Sequence, residues 1–272
     1  PPRNNGPPCP SVSWQHFSIM HIGATIDVPV PDGMVVRTAI VAGIHDTVPE
    51  LLNESTTLVL NEEGIHTVFA VVEGADCSPT VTRRVIEVVA EFPVTDSVDK
   101  DDPLIQAWAS DWLMPVAYGE AVDEKWQTPE RAMGPATGQA ADVVSLGKGG
   151  QIELLFAGEL YDGDGVDFVV FENSFAPTFL ELGLVEVSSD GEHFVQFPTL
   201  YLGTSAIDPF GNHDPEIMYG FAGRYPAGKG TPFDLHDLRF EPQVVNGLVE
   251  LDRITSVRIT DVIGDGSAVD SL

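Results

Sequence analysis

Apolar and polar residues alternate with a period of two over much of the first ninety residues, which is the pattern of half-buried β-strands. The segment 81–90, VTRRVIEVVA, alternates over its whole length. The earlier apolar runs are separated by turn-forming residues, Pro-Asp-Gly at 31–33 and Asn-Glu-Glu-Gly at 61–64. Several short strands at this spacing predict an Ig-like β-sandwich over residues 11–92, preceded by a proline-rich tail at residues 1–10.

The pattern changes in residues 93–110, which are acidic and bounded by prolines, as a linker would be. Asp102 is a suitable helix N-cap, and Pro103 suits the first helical position. Apolar residues between 104 and 113 then recur at helical spacing. The segment 93–110 is therefore predicted to be a linker that carries a short helix.

Strand patterns return in residues 111–272, after an irregular stretch rich in glycine and proline. In the segment QIELLFA, Ile152, Leu154 and Phe156 would share one face. Later strands are partly apolar on both faces, as inner strands of two stacked sheets are. We therefore predict an all-β protein in which an Ig-like β-sandwich is followed by a jelly-roll-like β-sandwich at 111–272.

Composition and net charge narrow the range of possible binding partners. The chain has 272 residues, of which 43% are hydrophobic, so it can form a packed core. Its 13 basic and 42 acidic side chains give 13 − 42 = −29. A surface this negative repels nucleic acids and anionic membrane surfaces, and it suits divalent cations or a basic partner. Solubility alone is the alternative reason for the charge.

Two cysteines, Cys9 and Cys77, allow one intramolecular pairing. In an extracellular protein they would form a disulfide that closes a long loop, which is worth roughly 4 kcal/mol in the chain-entropy model. Neither cysteine lies in a CxxC pattern, so redox or zinc chemistry gains no support. Two unrelated thiols are the alternative.

Oxygen-bearing side chains are concentrated around one predicted strand, DFVVF at 167–171. Calcium binds six to eight oxygen ligands, and a glycine-rich turn lets short Asp side chains converge. The candidate calcium ligands are Asp162, Asp164, Asp167, Glu172, Asn173 and Asp234. The two ends of the strand lie on the order of 15 Å apart, so either two subsites exist or distant loops complete one site. A plain hairpin turn at 162–165 is the alternative.

Aromatic residues near this segment could stack on sugar rings. The candidate ligand-binding residues are Phe175, Phe179, Tyr219 and Tyr225, and Tyr118 and Trp126 in other loops of the second domain could stack on sugars in the same way. Tyr219 and Tyr225 belong to a long loop, 201–236, which is predicted to form a recognition rim. Core packing is the alternative for each of these side chains.

Two resemblances add to this picture. The segments VEVSSDGEHFVQFP at 185–198 and ITSVRITDV at 254–262 are similar to the hairpin and closing strand of galactose-binding-like (discoidin-type) jelly rolls. The longer set GDGVDFVVFENSF, VEVSSDG and TPFDL resembles a family of poorly characterised bacterial secreted cell-surface proteins. That resemblance implies a place at the bacterial surface. It also implies a further Asp-containing strand beyond residue 272, since family members usually continue past the VRITDV-like strand.

Recognisable catalytic motifs are absent from the sequence: it has no GxSxG elbow, HExxH pair or Walker loop. We therefore predict a non-catalytic, secreted, calcium-supported binding or adhesion module that recognises a glycan or a surface protein. Two alternatives stay open. One is an enzyme acting on extracellular polysaccharide with paired carboxylates, and the other is a structural spacer in which calcium is architectural.

Overall fold

The protein is described by a computed structural model in which strands account for 39% and helices for 9%. The predicted all-β class is therefore confirmed. The chain divides into two compact units, Pro1–Pro93 and Val94–Leu272. The structure describes residues 6–14, 17–50, 52–91, 96–120, 122–174, 176–203, 212 and 214–262.

The first unit is a sandwich of a four-stranded and a two-stranded sheet. Its strands are β1 (Ile19–His21), β2 (Thr25–Asp27), β3 (Val35–Ala42), β4 (Thr57–Val59), β5 (Gly64–Gly74) and β6 (Cys77–Val89). The larger sheet has the order β1-β6-β5-β3, and β2 pairs with β4. The neighbours β3-β5-β6 correspond to the C-F-G sheet of an immunoglobulin sandwich, and β2-β4 to its B-E pair.

The core of the first unit lies between these two sheets. Ile26 of β2 and Leu58 of β4 face Val68 and Val72 of β5, and all four are at least 94% buried. Ile86 of β6 joins the same cluster. The alternation seen in the sequence thus places one face of each strand in the core, as the period of two requires.

The predicted proline-rich tail needs correction, because residues 6–14 are attached to β6. Pro8 forms a parallel bridge with Ser78, and the Thr80 hydroxyl donates to the Cys9 carbonyl at 2.6 Å. The predicted disulfide is confirmed: Cys9 and Cys77 are bonded across a separation of 68 residues. Hydrogen bonds along an edge strand and one covalent bond therefore hold a segment that composition alone assigns to a tail.

The second unit contains ten strands among its described residues. They are β7 (Val98–Asp99), β8 (Asp111–Trp112), β9 (Gln151–Leu160), β10 (Phe168–Phe171), β11 (Gly183–Ser188), β12 (Val195–Gln196), β13 (Leu200–Tyr201), β14 (Met218–Tyr219), β15 (Lys229–Phe233) and β16 (Ile254–Asp261). Antiparallel pairing gives a five-stranded sheet, β12-β11-β16-β9-β8, a three-stranded sheet, β10-β15-β7, and the pair β13-β14.

The two larger sheets face each other across an apolar core. Phe168 of β10 and Phe233 of β15 stack at 5.2 Å between ring centroids. Phe197 meets Phe233 edge-on at 4.9 Å, and Val185 and Val257 of the five-stranded sheet belong to the same cluster. The second unit is thus an antiparallel β-sandwich, as the predicted jelly-roll-like fold requires.

The predicted short helix after Asp102 does not form. The Asp102 carboxylate accepts the N–H of Leu104 at 2.9 Å, which makes a single turn, and Leu104 is 82% exposed. A short helix is stabilised mainly by packing of an apolar face, and Leu104 has no such packing. The preceding strand β7 pairs with β15, so the end of the predicted linker belongs to the second sandwich.

Helices in the described part of the chain are short. The one α-helix, α1, spans Pro242–Val245, and the 3₁₀ helices are Glu124–Trp126, Pro129–Ala132, Pro215–Ile217, Leu235–Leu238 and Leu251–Arg253. Over the same residues, none of these helices has the length and apolarity needed to cross a membrane.

Candidate metal centre and adjoining groove

Three of the predicted calcium ligands come together at one end of the second sandwich. Asp162, Asp167 and Asp234 each place a carboxylate oxygen within 4.8 Å of the others. Asp167 precedes β10 and Asp234 follows β15, and these strands pair antiparallel with Phe168 opposite Phe233. Their neighbouring residues therefore meet at the same edge of the sheet. We call these three residues the aspartate cluster.

Asp167 is the structural centre of the cluster. One of its oxygens accepts the N–H of Gly163 at 2.8 Å, and the other accepts the N–H of Leu235 at 2.7 Å. Burial raises the pKa of Asp167, the two N–H groups partly oppose that effect, and the neighbouring Asp234 and Asp162 charges raise the pKa further. Asp167 thus joins the loop after β9 to the turn after β15.

Asp162 is less well satisfied. Its Oδ2 lies 3.3 Å from Nδ1 of His236, whereas its Oδ1 is buried and has no hydrogen-bond partner in the described part of the chain. A buried carboxylate oxygen without a partner is costly. Asp234 caps the 3₁₀ helix at Leu235–Leu238 by accepting the N–H of His236 at 2.9 Å. Asp162 therefore needs a positive group, which the aspartate cluster does not contain. His236 is the side chain that Asp162 contacts.

The donors of the cluster fit a hard divalent cation. All three are carboxylates, which calcium and magnesium prefer, and backbone carbonyls or waters could complete the coordination. A cation would offset the mutual repulsion of the three charges and satisfy Oδ1 of Asp162. The competing partner for Asp162 is His236, whose side chain is 58% exposed.

Three of the predicted ligands lie outside the aspartate cluster. Asp164 is exposed and lies outside the aspartate cluster, although it stands between two of its members in the sequence. Glu172 and Asn173 follow the far end of β10, on the order of 15 Å away at the rise of a strand. The Asn173 amide donates instead to the Ala140 carbonyl at 2.6 Å. The cluster is completed by Asp234 from a distant turn rather than by the other end of the same strand.

Glu172 belongs to a second acidic group that includes Glu181 and Asp261. Burial raises the pKa of Glu172 to about 8, the N–H groups of Asn173 and Ser174 partly oppose the rise, and the charges of Glu181 and Asp261 add to it. Burial also raises the pKa of Glu181. Glu181 was missed by sequence reasoning, because it meets Glu172 only after the chain has turned into β11 and paired with β16.

A groove of about 1610 Å³ runs along β10 between the two acidic groups. Strands β9, β10 and β16 contribute to its lining, with Leu154, Phe156 and Ile259 among the apolar side chains there. The irregular segments 104–109 and 130–148 line it as well. No fully buried residue occurs among the described residues of 96–149, so these segments cover the sheet only loosely.

The aromatic residues in the groove include one predicted candidate, Trp126, which is 36% exposed. Trp108 and Phe171 also line the groove and pack against each other with 5.4 Å between ring centroids. Local sequence could not reveal this pair, because the two residues are separated by more than sixty positions (171 − 108 = 63).

The predicted aromatic ligands Phe179, Tyr219 and Tyr225 lie outside the groove. Tyr219 is buried, with its hydroxyl donating to Asp237 at 2.8 Å, so it packs in the core and offers no exposed ring face. Tyr225 is half-buried beneath the Arg224 guanidinium, which is 5.6 Å from the ring centroid. Phe179 is half-buried, and Phe175 lies outside the described residues. The 201–236 rim is described only in part.

Comparison with known proteins adds little. No protein-family model matches the chain, and no curated protein matches it. One solved structure aligns with 97% of this chain and 95% of its own, at 11% identity and a TM-score of 0.27; it is described as "Structural basis for the promiscuous specificity of the carbohydrate-binding modules from the beta-sandwich super family". A similarity this low carries no argument, so the fold is assigned from the sheets themselves.

Proposed function

We propose that this chain is a non-catalytic, extracellular module that binds a glycan with the support of a calcium ion. The observation that carries the proposal is the aspartate cluster, in which three carboxylates converge and a buried oxygen of Asp162 has no partner among the described residues. The Cys9–Cys77 disulfide supports an oxidising location outside the cytosol. The resemblance to secreted cell-surface proteins supports a bacterial surface.

Calcium would act by holding loops. Asp162, Asp167 and Asp234 lie on the loop after β9, at the start of β10 and after the end of β15. An ion shared by these carboxylates would fix the three segments against one another, and Asp167 also lines the groove. Ion binding would therefore shape one end of the surface to which a ligand docks.

A calcium titration tests the first half of the proposal. The full chain is melted with a chelator, with calcium and with magnesium. Calcium in hundred-fold excess over its dissociation constant should stabilise the fold by about 2.7 kcal/mol, seen as a rise of several degrees in melting temperature. Identical melting curves with chelator and with calcium would remove the ion from the proposal.

A glycan array tests the second half. The calcium-loaded chain should retain sugars that it releases when chelator is added. Calcium stabilisation without retention of any sugar would instead favour the spacer function, in which the ion is purely architectural.

A second candidate function rests on Glu172 and Glu181. The pKa of Glu172, raised by burial to about 8, would keep that carboxyl protonated at neutral pH, as a general acid must be. A neighbouring carboxylate is the second requirement of glycoside hydrolysis. The test is whether the chain releases reducing ends from soluble polysaccharides. If it does, and if Glu172→Gln abolishes the release in a chain that still folds, the function is catalysis rather than binding.

A further inference from the structure

We propose that the groove along β10 binds an uncharged oligosaccharide chain, with Trp108, Phe171, Gln106 and Gln139 as contact residues. This inference rests on the proposed glycan-binding function and adds the place and the ligand class. It places the binding surface at Trp108 and Phe171 rather than at Phe179, Tyr219 and Tyr225, which do not line the groove.

The size of the groove fits a chain-like ligand. Its volume of about 1610 Å³ exceeds the roughly 300–1,000 Å³ of ordinary small-molecule pockets. Its lining runs without interruption from Val166 to Asn173 along β10, a length of roughly 20 Å at the rise of a strand. A single sugar would leave most of this length empty, whereas several linked sugars would fill it.

The lining offers both kinds of contact that sugars need. Aromatic side chains present large apolar faces to the C–H face of a sugar ring, and Trp108 and Phe171 form such a pair. Gln106 and Gln139 line the groove and are exposed, and each amide can both donate to and accept from a hydroxyl. A few polar groups set in an apolar lining give a pocket its orientation and specificity.

Charge selects against acidic sugars. The acidic side chains that line the groove are Glu120, Glu130, Asp142, Glu159, Asp164, Asp167, Glu172, Glu181, Asp261 and Asp102. The basic ones are Arg131, which is paired with Asp142, and Lys148. Uronic-acid, sulfated or phosphorylated chains would meet repulsion from these carboxylates, whereas sugar hydroxyls can donate hydrogen bonds to them.

Calorimetric titration of the calcium-loaded full chain tests this inference. The probes are oligosaccharides of glucose, mannose, xylose and N-acetylglucosamine, with oligogalacturonate as the anionic probe and oligolysine as a cationic peptide probe. At least one neutral sugar series should bind, and oligogalacturonate should not. Gln139→Ala and Trp108→Ala should each weaken neutral-sugar binding by about ten-fold, since one lost contact is worth about 1.4 kcal/mol.

Gln127→Ala is the matched control, because Gln127 is an exposed amide on the neighbouring segment that does not line the groove. It should leave the affinity unchanged. Neutral-sugar binding that survives both groove substitutions would overturn the groove assignment and leave glycan binding intact. Binding of oligogalacturonate or oligolysine in place of the neutral sugars would overturn the ligand class. Failure of every sugar would overturn the proposed function as well.

Discussion

The three aspartates of the turn 162–167 show how one residue type takes different roles within a few positions. Asp167 accepts two backbone N–H groups, Asp162 keeps a buried oxygen without a partner in the described structure, and Asp164 is exposed. Only the first two converge with Asp234. Residue type therefore indicates a hard-cation site, but the orientation of each side chain decides which aspartates belong to the aspartate cluster.

Replacing Asp162 tests this assignment. Asp162→Asn keeps the shape of the side chain and removes one charge, so calcium should no longer raise the melting temperature by the several degrees expected of the parent chain. Asp164→Asn is the matched control and should retain the full calcium response, because Asp164 lies outside the cluster. Equal responses from the two variants would contradict the assignment. Differential scanning calorimetry with chelator and with calcium measures both.

Glu172 should make stability depend on pH. Its pKa is raised from 4.5 to about 8 in the folded chain, chiefly by burial. The stability that the fold gains from holding Glu172 neutral is fully present below pH 4.5. It is lost as the pH rises through 8 and the carboxyl group ionises. Glu172→Gln stays uncharged and avoids that loss, so above pH 8 it should exceed the parent chain in stability by up to about 5 kcal/mol.

Urea unfolding at several pH values measures this difference. The exposed residue Glu54 in the first unit provides the control substitution, Glu54→Gln, which should leave the pH dependence as it is in the parent chain. A Glu172→Gln chain whose stability changes with pH in parallel with the parent chain would show that Glu172 is ionised in the fold.

Among the elements, β10 and its pairing with β15 position both acidic groups. The register places Phe168 opposite Phe233 and Phe171 opposite Gly230. Asp167 and Asp234 meet at one end of this pair, and Glu172 follows the other end. The four residues of β10 are therefore enough to separate the two acidic groups in space, although their members are almost adjacent in the sequence.

Gly230 makes this pairing possible, because a side chain there would collide with Val169 and press on the Phe171 ring at 3.0 Å. Gly230→Ala should destabilise the second unit by about 1–3 kcal/mol through overpacking. Gly158→Ala in β9 is the matched control, since nothing lies within 4 Å of the added methyl group. Thermal unfolding of the two variants measures the difference, and equal melting temperatures would contradict the close approach.

For the whole molecule, the net charge of −29 is the dominant electrostatic feature. Self-repulsion of like charges disfavours a compact chain, and salt screens it. Raising potassium chloride from about 0.01 M to about 0.15 M shortens the Debye length from roughly 30 Å to roughly 8 Å. With chelator present, the melting temperature at neutral pH should therefore rise by a few degrees.

The same titration near pH 4 provides the control, because carboxyl groups there are partly protonated and carry less charge. The salt effect should be smaller than at neutral pH. A melting temperature that falls with salt at neutral pH would mean that attractive ion pairs, such as Arg258 with Glu186, outweigh the general repulsion.

The sequence by itself determined the all-β class, because the alternation in segments such as VTRRVIEVVA reflects a strand period that is local. It also limited any disulfide to the pair Cys9 and Cys77, and it identified the carboxylate-rich turn. The short helix predicted after Asp102 was wrong, because helical spacing does not reveal whether a packing surface exists to cover Leu104.

Only the tertiary structure decided which carboxylates meet and where the groove lies. Asp234 joins Asp167 through the β10–β15 register, Glu181 joins Glu172 through the turn into β11, and Trp108 packs against Phe171. These contacts link residues distant in sequence. Sheet register and packing of the whole unit determine them, and no local pattern of residue types encodes that arrangement.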